Sequence, residues 1–149
     1  MRQLLSIILV VSLFLGCGDN KQNKAEQLLA KATQLFEAGR CEEALSTIDS
    51  LRKVYPNAID VRKRALRLHQ NIELKQAQDE LTVLDSVLQA VNHDYNYQKM
   101  KVEKDKAALQ ATPEELTMLT KTRVRRDSIQ TRHDVLCAKI RYLHKKMKD

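Results

Sequence analysis

Residues 77–102 read AQDELTVLDSVLQAVNHDYNYQKMKV. Ala77, Leu81, Leu84, Leu88, Val91, Tyr95, Gln98 and Val102 follow one another in alternating steps of four and three, which lines them up along one edge of a single helix. An apolar edge of this kind is buried against a second helix with the same repeat. The second helix stands beyond Gln110-Ala111-Thr112-Pro113-Glu114-Glu115, where Thr112 suits an N-cap, Pro113 the first helical position, and Glu115 the partner of Thr112 in a capping box. From Pro113 to about Lys146 the spacing predicts a helix whose edge is Ile129, His133, Leu136, Ile140, Leu143 and Met147. Two such edges joined by a short break predict an antiparallel hairpin turning about Ala111. Val102 would then lie near residue 120, Leu88 near Leu136 and Leu81 near Arg141, on arms about 50 Å long. The same edges also fit a coiled coil between two copies, a homo-oligomer.

Upstream, no Gly or Pro occurs from Ala58 to Leu109, so the first arm belongs to a very long helix. Its early apolar positions are Val61, Ala65, Leu68 and Ile72. Before it stand two shorter helical patterns. Leu28, Leu29, Ala32, Leu35 and Phe36 form one face and stop at Gly39; Ala44, Leu45, Ile48 and Leu51 form another, from Cys41 to Val54, and stop at Tyr55-Pro56-Asn57. Gly numbers 3 and Pro 2 in 149 residues, which is too few turn formers for a β-rich fold, and the absence of Trp rules out a bulky aromatic core. The expected class is all-α.

Leu28, Ala32, Leu35-Phe36, Gly39, Glu43-Ala44-Leu45, Ile48, Leu51 and Tyr55-Pro56 together resemble a tetratricopeptide repeat, two antiparallel helices closed by proline. One such pair cannot bury its own apolar face, so Val61 to Ile72 are expected to cover it. The expected organisation is a repeat-like region over 24–73 and a long helical hairpin over 74–149.

At the N-terminus, Met1-Arg2-Gln3 precedes Leu4–Leu15, apolar except for Ser6 and Ser12, and then Gly16-Cys17-Gly18-Asp19. A membrane span needs about 20 apolar residues, more than this run supplies. An ordinary export signal would show small residues in an A-x-A-like pattern where Phe14, Leu15 and Gly16 stand. The segment resembles a bacterial lipoprotein signal, which implies removal of residues 1–16, lipidation of Cys17 and a tether over 17–23. As a whole the chain is similar to small tetratricopeptide-like lipoproteins of Gram-negative bacteria. That resemblance implies a cell-envelope location, with the outer membrane favoured because Gly18 rather than an aspartate follows Cys17.

Cys41 and Cys137 lie far apart in sequence, without a cluster of His, Asp or Glu at metal-ligand spacing, and are expected to be apolar packing residues rather than a disulfide. No glycine-rich phosphate loop, nucleophile elbow or His-Glu-x-x-His motif occurs, and His69, His93, His133 and His144 have no catalytic partner at fixed spacing. His133 falls on the apolar edge and is expected to pack or hydrogen-bond there. Neither an enzyme nor a cofactor is expected.

Charge is unevenly distributed. Residues 1–100 hold 13 basic and 12 acidic residues, whereas 101–149 hold 13 basic and 7 acidic. Arg123, Arg125, Arg126 and Arg132 are the candidates for a basic interaction face. Export and the scarcity of stacking aromatics argue against nucleic acid. The expected function is a membrane-anchored, non-enzymatic helical scaffold for a protein partner. The alternative is an envelope protein whose basic hairpin binds lipid or glycan.

Overall fold

The computed structural model describes the backbone of residues 16–148 and the side chains of 20–148. Residues 1–15 and the Cys17 side chain, and with them the signal and lipidation expectations, lie outside the described residues. The fold is all-α, with no strand among the described residues: α1 is Gly16–Glu37, α2 Cys41–Val54, α3 Ile59–Ala107 and α4 Pro113–Lys146. The chain divides into two compact units between Glu73 and Leu74.

In the first unit, α1 ends where the backbone turns left-handed at Gly39, φ +76°. The Gly39 N–H donates to Phe36 O (2.9 Å) and the Arg40 N–H to Leu35 O (2.8 Å), a Schellman closure that satisfies the last carbonyls. Glu42 and Glu43 open α2 and Arg52 and Lys53 close it, matching the helix dipole at both ends. Ala25, Leu29, Ala32 and Leu35 of α1 meet Ala44, Ile48 and Leu51 of α2, and the start of α3 completes the core with Val61, Ala65 and Ile72. Ala25, Ala32, Ala44 and Ala65 are all fully buried, so methyl groups are what let these helices approach closely. Val61, Ala65, Leu68 and Ile72 cover the helix pair as expected. The half-buried Cys41 packs against this core, and it and Cys137 are both free thiols.

Residues 17–23, expected to tether the fold, are helical and form the first turns of α1, which begins at Gly16. Their polarity suggests a loop, yet Lys, Gln and Asn without proline continue a helix once Ala25 is packed.

The second unit is the antiparallel hairpin of the later part of α3 and α4. Ala77, Leu84, Leu88, Val91 and Val102 are buried, and Leu81, Tyr95 and Gln98 are half-buried. Every expected edge residue of the first arm therefore faces inward. Ala77, Leu84 and Leu136 form its core, flanked by Leu81, Ile129 and Ile140. α3 stops at Ala107, and Leu109 beyond it turns left-handed at φ +57°. Leu136 shares a buried cluster with Leu84 and Ala77 rather than with the expected Leu88, while Leu81 and Ile140 both pack against that cluster.

Candidate interaction surfaces

The four arginines expected to form one basic face are separated by the helical repeat of α4. Its inward edge continues back from Ile129 through Arg126, Thr122 and Leu119, all half-buried. Arg126 therefore stands in the seam, its guanidinium 4.1 Å from the centre of the Tyr95 ring, and it also donates to Asp127. Arg132 crosses to α3, where its Nε lies 2.9 Å from Glu80 Oε1. Arg123 and Arg125 are both exposed, on opposite sides of the seam. Two of the four thus hold the arms together and two face solvent on different flanks.

Other polar contacts also cross the hairpin beside its apolar cluster. His133 Nε2 lies 2.9 Å from Asp85 Oδ1, and its Nδ1 lies 3.3 Å from Asp134 Oδ1 and 3.9 Å from the half-buried Cys137 Sγ. His133 is thus a hydrogen-bonding member of the seam, as expected. Thr112 accepts from the Glu115 N–H (3.2 Å) while the Thr112 N–H donates to Glu115 Oε2 (3.0 Å), the capping box read from the sequence. Lys101 donates to the same carboxylate. That hydrogen bond, then the one from the Thr112 backbone, holds the Glu115 carboxyl below its ordinary value. Among the described residues, no group of three or more His, Cys, Asp or Glu could hold a metal ion.

Numbering outward from the seam sorts the exposed side chains into two flanks, and the Glu80–Arg132 pair marks the first. On it stand Val83, Tyr97, Met118, Val135 and Tyr142, each more than half exposed. Cations intervene: Tyr97 and Met100 share a shallow depression with Lys101 and Lys104, Met118 another with Lys121, and Lys146 Nζ lies 5.7 Å from the Tyr142 ring. By position this flank holds seven cations and three acids, Glu80, Asp94 and Glu114. The opposite flank, which carries Arg123, holds six cations, four acids and one exposed large apolar residue, Leu116. The sequence signal for this difference is the heptad position of each residue; counting basic residues along the chain does not reveal it.

The first unit also exposes large apolar side chains. Ile59 and Leu66 line a depression with Arg52, Arg62 and Lys63, and Val54 lines a separate one with Tyr55, Pro56 and Lys24. Arg62 Nη1 donates to Pro56 O (2.7 Å), fixing the connection between α2 and α3 beside the first depression.

No known protein family, curated protein or solved structure matches this chain. Among the described residues, no helix is long and apolar enough to cross a membrane.

Proposed function

We propose that this protein is a cell-envelope lipoprotein, anchored through Cys17 and acting as a non-enzymatic helical scaffold. The observation that carries the scaffold reading is the exposed pair Ile59 and Leu66 in a depression with Arg52, Arg62 and Lys63, on a first unit whose core is already closed. Side chains no longer needed to complete a core, yet apolar and exposed together, fit a surface that receives a protein partner. The arginines give that partner an acidic complement. The repeat-like order of α1, α2 and the start of α3 fits the tetratricopeptide resemblance, whose wider class holds other proteins.

The anchor is supported by the short apolar run ending in Gly16-Cys17. One acyl chain binds a bilayer only reversibly, whereas two or three retain a protein there. The expected outcome in cells is acyl labelling and membrane fractionation of the parent, both lost in Cys17→Ala. Crosslinking in intact cells should capture a stoichiometric protein partner that Ile59→Asp with Leu66→Asp releases. A Cys17→Ala chain that stays labelled in the membrane fraction overturns the anchor, and capture indifferent to the patch variants overturns the scaffold surface.

A further inference from the structure

We propose that the flank of the hairpin bearing Val83, Tyr97, Met118, Val135 and Tyr142 lies against an anionic lipid surface. Five exposed large apolar residues stand on one flank and one on the other, with Met100 and Val124 on the outer backs of the arms. Hairpin folding does not require this bias between flanks, because the seam is already filled by other residues. By position the cations on this flank outnumber the acids seven to three. Arg132 and Glu80 pair with each other and Lys101 pairs with Glu115 and Asp105, which leaves Lys104, Lys121, Arg125, Lys139 and Lys146 against Asp94 and Glu114. A surface of this sign meets an anionic partner and repels a second copy of itself.

The arrangement of the residues selects the kind of anion. Lys101, Arg125, Arg132, Lys139 and Lys146 stand next to the groove between the two helices. Val83, Tyr97, Val135 and Tyr142 stand on the outer shoulders of both. A single helix seated in the groove would meet mostly charge and would miss the shoulders. A partner that reaches both shoulders at once must be broad and flat, as a bilayer surface is. Lysine and arginine stems can lie beside the apolar side chains while their charged ends reach phosphate. Tyrosine is itself suited to the boundary between head groups and acyl chains. The inference rests on the proposed membrane location only for where the flank would meet a bilayer; the chemistry of the flank is independent of the anchor.

The experiment uses the full chain with Cys17→Ser, so that no acyl chain contributes, sedimented with vesicles of phosphatidylcholine alone or mixed with phosphatidylglycerol. The chain should bind the anionic vesicles, leave the neutral ones, and be released by about 0.5 M salt. Lys104→Glu, Lys121→Glu and Arg125→Glu together should weaken binding roughly tenfold or more. Lys99→Glu, Lys106→Glu and Arg123→Glu change the net charge equally on the opposite flank, and should change binding less than about twofold. Tyr97→Ser with Met118→Ser, which alters no charge, should also weaken it. All these positions are exposed, and circular dichroism verifies that each variant keeps its helices. Equal losses from the two charge-reversal sets, equal binding to neutral vesicles, or no binding at all would overturn the proposal. So would capture through this flank of an acidic protein by a chain that leaves anionic vesicles unbound. Vesicle binding without the anchor and Cys17-dependent fractionation in cells can each fail alone, so the two proposals are told apart.

Discussion

Gly39, with φ +76°, and Leu109, with φ +57°, take up the same left-handed position after a helix. At Leu109 the closure is again of the Schellman type, with the Gln110 N–H donating to Asp105 O (2.7 Å) and the Leu109 N–H to Lys106 O (3.0 Å). Only one of the two residues suits that backbone. A Cβ at Gly39 would meet nothing within 4 Å, so Gly39→Ala should cost only the left-handed penalty, about 1 kcal/mol. Leu109 is 97% exposed and gains nothing from packing, so Leu109→Gly should raise stability by about 1 kcal/mol in urea unfolding. Glu115 makes a pH prediction at the same scale. Its folded carboxyl binds a proton less readily than the unfolded one, so its contribution is complete above the unfolded value of about 4.3 and fades as pH falls below it. The loss of melting temperature between about pH 6 and pH 3 should therefore be smaller in Glu115→Gln than in the parent chain.

The hairpin is unequal along its length. Near its open end the seam is filled by Ala77, Leu81, Leu84, Leu136 and Ile140, while towards the turn it holds Gln98, Thr122 and Arg126. The Oε1 of Gln98 is buried without a hydrogen-bond partner. Gln98→Leu should remove that deficit and stabilise the hairpin by about 1 kcal/mol, whereas Leu84→Ala should cost about 2–3 kcal/mol. Amide hydrogen exchange should be faster towards the turn in the parent and slower there in Gln98→Leu. The 4-3 spacing of these residues was legible in the sequence because it reports directly on which edge of a helix is buried. The start of α1 was not, since polar residues suit a helix and a tether equally well. Nor was Arg126 as a seam residue: its charge suggests solvent, and only its step of three before Ile129 places it over Tyr95. The exposed flank is legible only through heptad position combined with the antiparallel pairing. Val83, Tyr97, Met118, Val135 and Tyr142 are scattered along the chain and come to one side only when the two arms pair antiparallel.

For the molecule as a whole, the two arms carry complementary edges that would pair as well between two chains as within one. What keeps the pairing internal is the turn between Ala107 and Pro113. A hairpin opens into a partner-exchanged dimer most readily when its connection can straighten into one continuous helix. Pro113 stands in the way, because it has no N–H to offer the carbonyl of Leu109 and disfavours helical backbone at Thr112, which is extended here with ψ 155°. Thr112→Ala with Pro113→Ala should therefore give, in light scattering, a larger dimer fraction than the parent chain at every concentration. A variant that stays monomeric at every concentration would show that the seam itself, and not the turn, dictates the closure. Pro113 thus has a second expected consequence beyond starting α4: its replacement should let each chain trade arms with its neighbour.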